Sequence, residues 1–311
     1  FKKKAFKKLG QQNVYTPTYY MRLAKYNLAS GYIAEFESNV QQGVSTSKGI
    51  NLENSQTYGL ILVEAAELHN MNGAYRVARE YLEQAKRVLE GGDFMKDVAK
   101  GRYELALAET LTGQGYYTQA IELLNELERF YAKRAVKQET FVDDRGNLKS
   151  RRLSDEELTV RYREFSNARY LLANAFRMKG SYDSADVVFT NNARDSKKNL
   201  GQSSQEYIRN QYAFANWLLE NGLESASKLP KEAEFSRLLN DLKIKHNPAH
   251  YLGILIYEDY LRQLQLEGSS ARYLNVKLEY EKMIAKNYDS KSIYNVRLKA
   301  VEFDAKMDKD R

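Results

Sequence analysis

The sequence predicts an all-α fold, a solenoid of about five to six helical hairpins with atypical helices at its C-terminal end. Three observations lead there. The first is the stretch Tyr170 to Phe189, which reads as two short amphipathic helices joined at Gly180. Leu172, Ala173 and Phe176 form one apolar stripe, and Ala185 and Phe189 form a second. Neither helix buries its stripe alone, so the two pair as a hairpin. The alanines let the backbones approach and the phenylalanines fill the space beside them. The second is recurrence. The glycines Gly31, Gly73 and Gly115 lie 42 residues apart, as do Gly180 and Gly222, while Gly115 to Gly180 is 65, one period plus 23. The third is proline use. Only three prolines occur in 311 residues. Thr16-Pro17 and Asn247-Pro248 read as an N-cap with Pro at the first helical position, and Pro230 precedes Lys231-Glu232 in the same way.

Taken in order, residues 1–15 are a basic flank. Lys2, Lys3, Lys4, Lys7 and Lys8 supply much of the net charge of +7, and the rest of the chain is close to balanced. The flank reads as the solvated start of a first helix rather than as an arm for nucleic acid or anionic lipid. The first hairpin carries Leu23, Ala24, Gly31, Ile33 and Phe36. Its second helix is expected to reach about Gln42, with Gly43 to Gly49 as a link. The next hairpin has its first helix over Asn51 to Asn70, then Gly73, Tyr75, Ala78, Leu82 and Ala85, and stops at Gly91-Gly92. His69 stands there in a large-residue slot, as a partly buried core histidine. The third carries Leu107, Ala108, Leu111, Gly115, Tyr117, Ala120 and Leu124.

The 23 additional residues then fall between Phe130 and the fourth hairpin. Glu139 to Ser154 has no helical period, and Asp143 to Asn147 is turn chemistry whose flanks are compatible with a small β-hairpin. A docking loop and a tolerated insertion are both open readings. Ser154 and Glu157 form a capping box, and a long helix follows. Phe214, Ala215, Leu218 and Gly222 give the first helix of a fifth hairpin. Beyond it the pattern decays into helices over Ala233 to Ile244 and Tyr251 to Gln265. Tyr273, Val276, Tyr280, Met283 and Ile284 mark a further helix, and Ile293, Val296, Ala300, Phe303 and Met307 a last stripe.

This arrangement of a small residue, then Gly and Tyr at the turn, then Ala and an aromatic resembles the tetratricopeptide repeat (TPR). The 42-residue unit is longer than the usual ~34 and is similar to the lengthened repeat of kinesin light chains. Asn199-Leu200-Gly201 followed by Tyr207 is similar to the link between those repeats. The resemblance implies a right-handed α-α superhelix over 16–222, interrupted by the insertion near 139–154. Residues 223–311 are then degenerate repeats or C-terminal capping helices. It also implies a partner-binding concave face lined by the first helix of each hairpin. Aligned on the glycines, the contact positions fall on Asn167, Tyr170, Asn174, Arg177 and Met178, and on Arg209, Tyr212, Asn216, Leu219 and Glu220. Tyr170, Asn174, Arg177, Arg209, Tyr212 and Asn216 are the expected partner-binding set. Asn amides pair with a peptide backbone, Arg grips a carboxylate and Tyr supplies flat area. Tyr170 stands where a clamp lysine is expected, which argues against capture of a free C-terminus. Glu67 and Glu109 occupy the slot of Asn174 and Asn216 upstream, so one end of the groove is expected to be acidic.

The sequence offers no catalytic constellation. It has no cysteine, which excludes disulfides, thiolate zinc sites and cysteine nucleophiles and is compatible with the cytoplasm or a bacterial cell envelope alike. No apolar run approaches the ~18 residues of a membrane span. His246 and His250 have a metal-ligand spacing, but Pro248 between them marks a helix start and no third ligand is near. No catalytic, cofactor-binding or metal residues are therefore assigned, and no cofactor is expected. The expected function is a non-enzymatic protein–protein interaction scaffold or adaptor, holding a protein or peptide segment in its groove, alone or within a larger assembly. The other reading is a peptide-sensing regulatory domain of a larger signalling protein, for which a chain beginning at Phe1 leaves room. Nucleic-acid binding ranks below both, because the lysines and tyrosines are dispersed and no recognition motif occurs.

Overall fold

The structure is a computed structural model that describes residues 13–50, 53–91, 97–142, 145–220, 231–246 and 251–299. Glycine fixes its turns. Among the described residues five interhelical turns share one cap, at Gly31, Gly73, Gly115, Gly180 and Gly268, all at positive φ. In each, the glycine N–H donates to the carbonyl three residues back, and the next N–H donates to the carbonyl five before it. At Gly180 the acceptors are Arg177 and Phe176, at 3.0 and 2.9 Å. This is the Schellman cap, whose left-handed residue is glycine because a Cβ is strained there. Four of the five are the glycines of the sequence period. Gly268 was not expected, and Gly222 lies outside the described residues.

The elements run α1 (Thr16–Ala29), α2 (Ile33–Gly49), α3 (Gln56–Met71), α4 (Tyr75–Gly91), α5 (Asp97–Gly113) and α6 (Tyr117–Arg134). Strands β1 (Gln138–Val142) and β2 (Leu148–Arg152) follow. Then come α7 (Asp155–Lys179), α8 (Tyr182–Leu200), α9 (Gln205–Glu220), α10 (Lys231–Lys245), α11 (Tyr251–Leu266) and α12 (Ser270–Asn287). A last helical segment, α13, covers 293–299. Among the described residues the fold is all-α apart from one two-stranded ribbon. The chain divides into two compact units, Phe1–Ala120 with Tyr288–Arg297, and Ile121–Asn287 with Leu298–Arg311.

In the first unit α1 pairs with α2 and α3 with α4, and α1, α3 and α5 pack in succession. Met21, Ala24, Phe36, Val40, Ile61 and Ala65 share one core, and Leu62, Ala66, Ala78, Leu82 and Ala85 the next. Three boundaries differ from the sequence reading. The expected link from Gly43 to Gly49 is helical, because Gly43 is a contact and not a break: a Cβ there would lie 2.7 Å from Met21 Sδ. The helix expected from Asn51 starts at Gln56, behind Ser55, whose side chain accepts from the Tyr58 N–H. At the start of α1, Tyr15 and not Thr16 occupies the cap position, with Pro17 in the first turn.

His69 is fully buried in this unit, not partly. Its ring stacks on Tyr81 at 5.4 Å and meets Phe36 edge-on at 5.2 Å. Neither ring nitrogen has a hydrogen-bond partner, although Glu37 Oε1 lies 3.7 Å from Nδ1. Burial holds the imidazole pKa below its ordinary value, with Glu37 opposing. The folded form is therefore neutral. Stability from this site is full above about pH 6.5, the free imidazole range, and is lost as the pH falls below it. His69→Phe keeps the ring stack and removes two unpaired buried nitrogens. It is expected to raise the melting temperature of the first unit and to flatten its decline between about pH 7 and 5. Melts followed by circular dichroism across that range check both.

In the second unit α7 pairs with α8, α8 with α9, α9 with α10, and α11 with α12, while α7, α9 and α11 are in contact in that order. Ser154 and Glu157 form the expected capping box at the start of α7. Ala173, Ala185, Phe189 and Ala213 form the core beneath α7, α8 and α9. Beside it runs a buried polar chain. Asn192 Nδ2 donates to the Ser166 carbonyl at 2.9 Å and to Asn210 Oδ1 at 2.7 Å, and Ser166 Oγ meets Ser196 Oγ at 2.9 Å.

The insertion is a β-ribbon, Gln138 opposite Arg152 through Val142 opposite Leu148. It is tied to the start of α7 by Arg151 to Glu139 and Glu157 and by Arg161 to Glu139. Of the expected last stripe, Ile293 and Val296 are exposed, and Ala300, Phe303 and Met307 lie outside the described residues.

Candidate interaction face

Helices α7 and α9 carry the residues expected to meet a partner, and they lie side by side in the second unit. Spacings of four and three place Tyr170, Asn174 and Arg177 on one face of α7. Arg209, Tyr212 and Asn216 lie likewise on α9. The two sets interlock. The Arg209 guanidinium sits 4.0 Å above the Tyr170 ring, and its Nη2 donates to Asn167 Oδ1 at 2.9 Å. Such stacking over an aromatic face contributes about 0.5–2 kcal/mol and fixes where the guanidinium points. Its Nε is buried without a hydrogen-bond partner.

Tyr212 and Asn216 are less available than the sequence suggested. The Tyr212 hydroxyl donates to Asp259 Oδ2 at 2.6 Å, and Asn216 Nδ2 donates to the same oxygen at 2.7 Å. Asp259 belongs to α11, and its other oxygen accepts from Arg262 Nη1 at 2.9 Å. Burial pushes the Tyr212 hydroxyl far above its ordinary range, and the Asp259 charge adds to the shift. Tyr212 is therefore a fixed neutral donor rather than a contact surface. Asn174 differs. It is half-buried, and its amide has no hydrogen-bond partner among the described residues. Met178, one turn further along α7, is 50% exposed. Arg177 is half-buried, and the side chains of Leu219 and Glu220 lie outside the described set.

No protein-family model matches this chain, and no curated protein matches it either. The geometry of the face therefore stands on its own residues.

Asp259 and Arg262 lie beyond Gly222, where the repeat pattern of the sequence decays, and so carry no repeat position that points to them. The nearest signal was in spacing: Asn174 to Asn216 spans 42 residues, and the same step again ends one residue short of Asp259. In the first unit the carboxylates expected to be acidic contact positions are partly neutralised. Glu67 receives Arg102 Nε at 2.8 Å, and Glu64 lies 3.8 Å from the same guanidinium. Burial nonetheless raises the pKa of Glu64, against the Arg102 charge. His246 Nε2 lies 2.9 Å from the Ser203 carbonyl, and His250 is outside the described residues. Among the described residues no three metal-ligating side chains gather, and no helix is long and apolar enough to cross a membrane.

Proposed function

We propose that the chain is a non-enzymatic binding scaffold of the tetratricopeptide type, which takes an extended peptide segment along the α7–α9 face. The observation that carries the reading is the pairing of an ordered platform with an open amide. Arg209 is held over Tyr170, and Asn174 beside them keeps its donors and acceptor for a ligand. A carboxamide offers a peptide backbone both a donor and an acceptor. A preset aromatic–guanidinium pair is the kind of anchor that dominates interface energetics. The recurring Schellman turns support the repeat architecture, since one hairpin geometry used again and again is what a stack of equivalent units requires. In this reading the α-α superhelix presents α7 and α9 on its inner surface.

A photoreactive phenylalanine analogue in place of Met178 tests the reading in the native cell. Irradiation should give a discrete adduct with a protein partner. The same analogue at Val187, exposed on α8, should not give that adduct. Adducts of one partner at Val187 and none at Met178 would place the contact elsewhere.

A further inference from the structure

The first interhelical turn differs from the others in what covers it. At Gly73, Gly115, Gly180 and Gly268 the space where a Cβ would stand is open. At Gly31 it is filled: a Cβ would lie 2.7 Å from Ile293 Cγ2 and 2.8 Å from Ser292 Oγ. The covering residues come from 262 to 265 positions further along the chain. Ser292 Oγ donates to the Ser30 carbonyl at 2.7 Å, the Ile293 N–H donates to the Gly31 carbonyl at 3.1 Å, and the Tyr294 hydroxyl donates to the Ala29 carbonyl at 3.0 Å. Three consecutive residues thus satisfy three consecutive carbonyls at the turn after α1, of which those of Ala29 and Ser30 are ones a helix leaves without intrahelical partners.

Two of the three residues that make the contact are buried, and the segment is preorganised. Ser292 is 0% and Tyr294 2% exposed, so these are core burials and not surface touches. The Tyr288 and Tyr294 rings meet edge-on at 4.9 Å, and the Ser292 N–H donates to the Asp289 carbonyl at 3.2 Å. The segment also has an unusual address. Tyr288–Arg297 belongs to the first unit, while the chain on both sides of it, Ile121–Asn287 and Leu298–Arg311, belongs to the second.

We propose that residues 288–297 are a latch: a short late segment whose Ser292-Ile293-Tyr294 docks specifically on the turn at Gly31 and holds the first hairpin closed. The latch supplies the first hairpin with neighbours drawn from the far end of the sequence. Anything that binds or cuts at 288–297 therefore acts on the α1–α2 turn, and anything that deforms that turn releases the segment.

Hydrogen exchange on the full chain, read by mass spectrometry, tests this in both directions. Removing two of the three donors with Ser292→Ala and Tyr294→Phe should speed exchange of the amides at 27–33 and at 288–297 together, by roughly 10- to 100-fold. Peptides from α7 and α8 should keep their wild-type rates. The converse pair uses the glycines. Gly31→Ala and Gly73→Ala impose the same left-handed strain, but only the first puts a methyl where the latch sits. Gly31→Ala should free 288–297, and Gly73→Ala should leave it protected. The proposal is overturned if 288–297 exchanges freely in the wild type, if the donor variants loosen the segment without touching 27–33, or if the two glycine variants affect 288–297 alike.

Discussion

Phe189→Ala is expected to lower the stability of the second unit by about 3–5 kcal/mol, the cost of emptying a well-packed phenylalanine site. Phe189 is 1% exposed, and its ring lies 6.5 Å from that of Tyr170 and 6.2 Å from that of Phe214. It therefore joins α7, α8 and α9 at one point. The other buried members of its core are the alanines at 173, 185 and 213, which have no atoms to extend into the void, with Phe176 and Val188 packed against the cluster from outside. The single tryptophan, Trp217, lies in α9, so its fluorescence during urea unfolding reports on this unit. A midpoint close to that of the parent would show that the three helices do not share this core. Because Tyr170 rests on Phe189 and carries Arg209, the same variant should weaken peptide binding even where it remains folded.

Asn192→Ala should cost about 2–4 kcal/mol, an effect out of proportion to the volume removed. Asn192 is 1% exposed and is the shared donor to the Ser166 carbonyl and Asn210 Oδ1. Removing it strands Asn210 Oδ1 in α9, where water does not reach it, and takes away the bond that the Ser166 carbonyl of α7 accepts from α8. Asn210 is itself fully buried and donates to the Glu206 carbonyl at 2.8 Å. Asn192→Ala and Asn210→Ala should therefore be strongly non-additive, with a coupling of about 0.5–3 kcal/mol. Additive losses in the same urea series would mean that the two amides act separately and that the polar chain does not set the register of α7, α8 and α9.

The helices and their turns were legible from sequence because the physics that sets them is local. The positive φ at Gly180 and the side-chain capping box at Ser154 need only a few neighbouring residues. Gly43 was misread for the same reason. A glycine inside a helical pattern reads as a break, and only the approach of Met21 from another helix shows why it is there. The face was half legible. Spacing along α7 and α9 identified residues on one side of each helix. It was silent on whether a neighbour consumes their hydrogen bonds, as Asp259 does for Tyr212 and Asn216. The contact of Ser292 and Tyr294 with the first turn has no sequence signature, since nothing in either segment specifies a partner so far away along the chain.

The central claim is that the α7–α9 face binds an extended peptide through Asn174 beside the Tyr170–Arg209 stack. The direct measurement is the affinity of the full chain for peptides selected on it from a random library, compared between the wild type and Asn174→Ala at equal helicity. Asn174 is the cleanest position, because its amide has no internal partner to lose. The account predicts unchanged folding and binding weakened by about 1–3 kcal/mol, or roughly 5- to 150-fold. Equal affinity of the two proteins for the selected peptides would contradict it.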